Sequence, residues 1–380
     1  MKTVLHTTAT LFLFLVVCAL PNTGIAQKVK IHPDEDKALA ARMDWAAQQN
    51  VRGDGYWVGY NITKFMRPNV WMGSIGGKNW SRRKSIYALI GQEDREQELP
   101  DELKEDLGFS MKGTMHFGKH KKNTDVRVAR DIAILMYVKK NRKGPTDIHL
   151  SNMSLGVDLE NRPLFWLGKA GDEESATMLE EMYHATSHNS MKSDLLGAIS
   201  IHENKARRLA FLAQILENEK SPDVREDTAF WVGQLDLPEG LAVLQKVIAT
   251  DPSMDVREHA VFSMSEMSSE EALEALIELA KDGQQKVVRK KAIFWLSQHA
   301  SKNAIQVIEE IVMDDKDLAI QEQAVFALSQ FPADESVPRL IEIAENHQSV
   351  EVRKKAIFWL GDSGDPRAVD ALIALARRKN

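Results

Sequence analysis

The 380-residue sequence holds a single cysteine, Cys18. It lies in the apolar stretch Leu11–Leu20 (LFLFLVVCAL), behind Lys2 and ahead of the small residues Gly24 and Ala26. That order of charge, short apolar run and small residues reads as a secretory signal peptide over 1–26, cleaved before Gln27 and too short to span a bilayer. Cleavage there leaves a mature chain without a thiol. Disulfides, thiolate zinc sites and cysteine nucleophiles are then excluded. Lipidation of Cys18 is the lesser alternative, because Val17 is bulkier than the small residue that normally precedes a lipidated cysteine. The expectation is an exported chain, periplasmic or extracellular.

Basic charge is not in excess. The sequence has 49 Lys and Arg against 55 Asp and Glu, a net of −6. Nucleic-acid binders carry a basic footprint, so no nucleic acid is expected as partner. Beyond the leader no apolar run is long enough for a membrane span. Catalytic motifs are scarce in the same way. His184 and His188 are spaced i, i+4 but lack the Glu of a zinc protease, and read as a solvated pair at a helix end. His116 and His120 read alike. Gly73–Gly77 is not followed by the Gly-Lys-Ser/Thr of a phosphate loop, and Gly53-Asp54-Gly55 is turn chemistry. No Gly-x-Ser-x-Gly elbow occurs. The expectation is a non-enzyme with no cofactor and no metal.

What is present falls into three blocks after the leader. Residues 27–52 are polar and then helical in pattern, with Leu39, Met43 and Ala47 recurring every four and Pro33-Asp34 as a helix start. Residues 53–158 read as a small β-rich domain. Gly55–Ile62 and Asn69–Ile75 are aromatic and β-branched, and Ile132–Val138 is a buried-strand run. Turn chemistry at Asn141–Pro145 and alternation over Asp147–Ser151 make a β-hairpin. The acidic run Glu93–Asp106 and the basic run Lys112–Lys122 read as solvated loops.

Residues 159–380 repeat. Similar segments start at Val224, Val256, Val288, Ile320 and Val352, each 32 residues after the last, and Val288–Leu296 is identical to Val352–Leu360. Counting back, earlier copies start near Met191 and Leu159. A fixed period of this size marks a stacked array of helix pairs, not one globular core. Each copy is a helix, a short polar loop such as Ser363–Pro366 or Pro332–Glu335, and a second helix. Pro338 and Pro366 sit in the first turn of second helices.

Within a copy, with the leading Val or Ile as position zero, Arg stands at one (Arg225, Arg257, Arg289, Arg353). Ala stands at four (Ala260, Ala292, Ala324, Ala356), an apolar residue at eight, and Gly or Ser at nine. This pattern resembles HEAT repeats of the short type first named from phycobilisome lyases. It resembles in particular extracytoplasmic bacterial HEAT proteins in which AIFWL-type and AVFAL-type copies alternate. The resemblance implies a mainly α fold: a right-handed α-solenoid of about seven helix pairs behind the β-rich domain. It implies a scaffold for a protein partner. Some phycobilisome lyases attach bilins on this fold, but the resemblance covers the scaffold and no bilin site.

Positions zero, four, seven and eight share one helix face, which must be buried. The arginines at one are read as a structural ladder, with Asp223, Asp255 and Glu351 as candidate partners. Position seven alternates large and small: Trp166, Ala198, Trp231, Ser263, Trp295, Ala327, Trp359. Such alternation lets layers interdigitate, so the structural unit is expected to be a pair of copies. Position six carries Phe165, Phe230, Phe262, Phe294, Phe326 and Phe358, either buried between copies or exposed as a partner stripe. Glu274, Glu278, Glu309, Glu342 and Asp370 are acidic candidates for partner contact on the second helices. The last helix closes with Ala376–Asn380 and no polar cap, which leaves self-association or partner docking at that end as an alternative. A further reading makes the β-rich domain a small-molecule sensor whose signal the array relays.

Overall fold

The computed structural model describes residues 29–49, 51, 53–66, 84–93, 127–140, 142, 144–160, 162–299 and 301–377. The leader, the strand expected at Asn69–Ile75, His116, His120, the basic run and all but the first residue of the acidic run lie outside these residues. The chain divides into two compact units, Met1–Arg208 and Leu209–Asn380.

The first unit is built on a five-stranded sheet in the order β1-β5-β2-β3-β4. The strands are β1 (Val29–Ile31), β2 (Gly55–Met66), β3 (Val128–Lys139), β4 (Asp147–Asn152) and β5 (Leu164–Lys169). β2 and β3 pair antiparallel from Gly55 opposite Lys139 to Met66 opposite Val128. β3 and β4 form the expected hairpin, with Tyr137 opposite Asp147. β5 lies parallel between β1 and β2. One sheet face gathers Trp57, Leu135, Tyr137, Leu164 and Trp166 into a buried cluster with Ile86, Tyr87, Met153 and Val157. Ile86 and Tyr87 come from the short helix α2 (Ile86–Leu89). Helix α1 (Leu39–Ala47) is tied to β5 by buried Arg42, whose Nη1 donates to the carbonyls of Leu167 (2.5 Å) and Lys169 (2.9 Å). The helix begins later than the expected Pro33-Asp34. There, His32 Nδ1 accepts the Asp34 N–H and the Asp34 carboxylate accepts the Asp36 N–H. These local bonds favour a turn over a helix.

The copy of the repeat expected at Leu159 is not a helix pair. Phe165 and Trp166 lie in β5, fully buried in the sheet, so Trp166 is no member of the repeat ladder. Residues 159–169 belong to the β domain. Pro163 immediately before β5 has no N–H for a helix running into it, and Gly168 adopts a φ of 81° that suits glycine. Helices α3 (Asp172–Ala185) and α4 (Asn189–Ser200) follow, and α5 (Lys205–Asn218) crosses into the second unit.

The second unit continues as helix pairs. First helices are α6 (Pro222–Leu235), α8 (Met254–Ser265), α10 (Lys286–Gln298), α12 (Leu318–Leu328) and α14 (Val350–Ser363). Second helices are α7 (Pro238–Thr250), α9 (Glu270–Asp282), α11 (Lys302–Asp314), α13 (Ala333–Asn346) and α15 (Pro366–Arg377). This is the fold class expected: a mainly α array of helix pairs, preceded in the chain by a small β-rich unit. The side chains of Ser269, Ser301, Asp317 and Ser349 cap helix starts by accepting backbone N–H groups. Pro222, Pro238 and Pro366 stand in first turns. Pro338 does not: α13 starts earlier, at Ala333, because Pro332 already supplies the N-terminal residue, and Pro338 lies inside the helix. Positions zero, four and eight are buried in all five copies from Val224 onward. They are the residues that repeat at helical spacing on one face.

Candidate interaction surfaces

The arginines at position one fold back onto the ends of second helices. Arg225 donates to the carbonyls of Glu219 and Lys220 beyond the end of α5, and its Nε and Nη2 clasp Asp251 at 2.8 and 2.9 Å. Arg289 bonds the Ala280 carbonyl in α9 and pairs with Asp315. Arg257 meets the Asp251 carbonyl, and Arg353 meets those of His347 and Gln348. Each therefore neutralises carbonyls at the negative end of a helix. The partners expected from sequence, Asp223, Asp255 and Glu351, are not the contacts formed. Glu351 instead pairs with Lys354 at 2.9 Å. The two carboxylates used, Asp251 and Asp315, sit at second-helix C-termini, 26 residues after Arg225 and Arg289 respectively, beyond any local motif.

The position-six phenylalanines run as a laterally packed row. Phe230 stacks on Phe262 at 6.4 Å and Phe294 on Phe326 at 6.3 Å, with the ring planes nearly parallel in both pairs. Phe262 packs against Trp295 at 4.7 Å and Phe326 against Trp359 at 5.2 Å. These four phenylalanines are half-buried, as are Trp231, Trp295 and Trp359, while the small residues Ser263 and Ala327 are fully buried. Only Phe358 of the row's described second-unit members is exposed. The Phe row is thus mainly an inter-copy seam, and the Trp rings lie along it rather than in the innermost core.

The acidic candidates divide by register. Glu274, Glu278, Glu342 and Asp370 are exposed. Glu309 accepts from Arg339 on the following second helix at 3.0 Å and is spent on packing. Glu310 and Lys281 make a similar bond at 2.6 Å, and the lysine holds the Glu310 carboxyl below its ordinary range.

In the first unit a cavity of about 510 Å³ is floored by Trp57, Leu135 and Tyr137 and rimmed by His149, Glu160 and Arg162. The Arg162 guanidinium lies 4.6 Å from the Tyr137 ring centre and is gripped by Asp54 and Glu160. That contact depresses the Asp54 carboxyl. Among the described residues, Trp57 Nε1 and the Tyr137 hydroxyl are buried without a hydrogen-bond partner. On the other side of the sheet, a relay is fully enclosed. His202 Nδ1 lies 3.1 Å from the Ile199 carbonyl, which only accepts, so Nδ1 carries the proton. Nε2 then accepts from Ser175 Oγ at 2.8 Å, and Ser175 accepts from the Tyr60 hydroxyl at 2.8 Å. Burial pushes the His202 pKa down and the Tyr60 pKa up. Sequence reasoning missed both groupings, because their members are far apart in the chain and match no spacing motif.

Residues 209–297 and 305–380 match the family model for HEAT repeats. No curated protein matches the chain. Among solved structures, human deoxyhypusine hydroxylase in complex with glycerol is 19% identical, over 53% of this chain and 78% of that one, with a TM-score of 0.25. The complex of CpcE and CpcF of phycocyanin lyase from Nostoc is also 19% identical, over 40% of this chain and 98% of that one, with a TM-score of 0.30.

Proposed function

We propose that this chain, which carries HEAT repeats over residues 209–297 and 305–380, is an exported scaffold that docks a protein partner on the side of its helical array. One observation carries the reading. Glu274 and Glu278 on α9, Glu342 on α13 and Asp370 on α15 stay exposed, while Glu309 on α11, the ladder arginines and most of the Phe row are consumed in packing. Regular arrays of this kind bind along extended surfaces. An acidic face selects a basic partner and makes the association salt-sensitive. The source to search is the cell envelope, because residues 1–26 read as a signal peptide. The test is crosslinking capture from a native envelope extract with the full chain, against a variant carrying Glu274, Glu278, Glu342 and Asp370 all changed to Lys. A partner enriched by the wild type should fall about tenfold or more with the variant and with added salt. Equal recovery removes the acidic face, and no enrichment at all removes the scaffold reading.

The cavity over Trp57 and Tyr137 supports a second reading, a small-molecule sensor in the first unit. Its buried polar atoms without partners are what a polar ligand would satisfy. A ligand that binds there raises the unfolding temperature of the full chain in a dose-dependent way. That rise should vanish in Arg162→Ala, and persistence of the shift would place the ligand elsewhere.

A further inference from the structure

The cavity in the first unit has an apolar floor and a polar rim. Trp57, Leu135 and Tyr137 rise from one face of the sheet, with Val157 and Leu159 beside them, and all five are buried. Its volume of about 510 Å³ lies within the range of about 300–1,000 Å³ typical of small-molecule sites. The rim carries acceptors and donors together. Asp147 and His149 are two residues apart on β4, so they stand on the same face. His149 Nε2 lies 3.1 Å from Asp147 Oδ2, and an ionised carboxylate only accepts, so Nε2 carries a proton. That contact holds the Asp147 carboxyl below its ordinary range. Elsewhere on the rim, Arg162 donates Nε and Nη2 to Asp54 and Nη1 to Glu160, which uses three of its five N–H groups. Glu160 is fixed in turn. Asp158 Oδ1 accepts its N–H at 2.7 Å and pins a backbone φ of 49°, which a residue with a Cβ seldom adopts.

Charge on this rim is spent within the protein. Arg162 is held between Asp54 and Glu160, and Asp147 is held by His149. An anionic ligand would meet the Asp147, Asp158 and Glu160 carboxylates around one cavity, and like charges repel there. A cationic ligand would have to take Asp147 or Glu160 from the donors that already hold them, with Lys139 on the same rim. What these pairs leave over is directed hydrogen bonding. Arg162 has two N–H groups without a partner among the described residues, and the Asp147 and Glu160 carboxylates each have a second oxygen. A hydroxyl both donates and accepts, so it fits such a rim without adding charge. A sugar ring has the matching shape. It carries hydroxyls around its edge for the rim and C–H groups on its faces for the apolar floor.

We propose that the cavity binds a neutral saccharide of one or two rings, held by hydrogen bonds from Arg162 and to Asp147 and Glu160. This rests on the reading of the cavity as a small-molecule sensor and gives its ligand a class. The test is thermal unfolding of the full chain with glucose, galactose, mannose, N-acetylglucosamine, maltose and cellobiose, beside the charged relatives glucosamine and glucuronate, each at about 10 mM. At least one neutral sugar should raise the unfolding temperature in a dose-dependent way, while glucosamine and glucuronate do not. Its apparent Kd should be the same at about 50 and about 500 mM salt, because no charge is engaged. That Kd should rise about tenfold or more in Asp147→Ala, which removes an acceptor. The charge and salt comparisons need only the wild type, so they stand should Asp147→Ala fold poorly. Stabilisation by a charged sugar and by no neutral one would overturn the neutral class and leave the sensor reading standing. Equal stabilisation of wild type and Asp147→Ala would mean exclusion of sugar from the protein surface and not binding in the cavity. A salt-dependent Kd, or no rise with any of the neutral sugars, would overturn the saccharide as well. The sensor reading falls separately, when neither neutral nor charged small molecules raise the unfolding temperature.

Discussion

Gly233 and Gly361 occupy the same position of the repeat, and the same substitution should act in opposite directions at the two. At Gly233 a new methyl group runs into backbone: the Ser263 carbonyl oxygen at 2.5 Å and Ser263 Cβ at 3.1 Å. Helices α6 and α8 would have to move apart, and such overpacking costs about 1–3 kcal/mol. At Gly361 there is open space, and alanine in a helix gains about 0.5–1 kcal/mol over glycine. Urea titration followed by Trp fluorescence on dilute protein should show Gly233→Ala shifted to lower urea and Gly361→Ala to higher. A shift of both in one direction would mean that the inter-copy approach does not set the sign. The sequence shows that position nine takes only Gly or Ser. It cannot show which copy has a neighbour pressed against that position, because the contact lies in the next repeat. The Phe row has the same limit. Its 32-residue spacing is plain, but the burial of Phe262 and Phe294 depends on rings one copy away, and Phe358 has the same sequence context without that ring.

At the scale of elements, four residues occur twice with different structures. Phe165-Trp166-Leu167-Gly168 is in strand β5, and Phe358-Trp359-Leu360-Gly361 is in helix α14. Intrinsic preference therefore does not decide between them; the flanks and partners do. Upstream of the first string stands Pro163, which pushes the preceding residue out of helical geometry. β1 and β2 then bracket the strand and fill its hydrogen bonds on both edges. Upstream of the second string, α14 already runs from Val350, with Ser349 accepting the Val352 N–H. Once nucleated, a helix extends at little cost. Counting copies backward by composition therefore overreaches by one. The β3–β4 hairpin was legible because its turn chemistry is local. The parallel pairing of β5 with β2 was not, since it joins residues about a hundred positions apart, without a tight turn to announce it. The arginine ladder falls between these cases. The arginines are visible by period, whereas Asp251 and Asp315 become partners only when the helix pair closes.

For the molecule as a whole, the two units share a vulnerability to mild acid. In the first unit, His202 is held neutral by burial against the pull of Asp172, and its two nitrogens are fully used by Ile199 and Ser175. In the second, burial likewise lowers the pKa of His259, which packs edge-on against Phe262 at 5.6 Å and lies 3.8 Å from Glu226. A folded-state pKa below the unfolded value of about 6.5 means that below this pH the unfolded chain takes up a proton the folded chain refuses. Stability is thus unaffected above about pH 7.5 and falls as the pH drops from about 6.5 toward each folded pKa. The limit is about 1.4 kcal/mol per pH unit for each histidine. Protonating His202 also breaks the relay, because Nε2 can no longer accept from Ser175 and the Tyr60–Ser175 bond must reorient with it. His202→Gln leaves an acceptor for Ser175 and removes the titration. The expected outcome is a variant somewhat less stable than wild type at pH 7.5 but with a flatter loss between pH 6.5 and 5.5, read by urea unfolding of the full chain. His259→Gln should flatten the remaining slope independently, since the two histidines lie in different compact units. If the wild type and both variants lose stability equally over that interval, the acid response comes from carboxylates and not from the enclosed histidines.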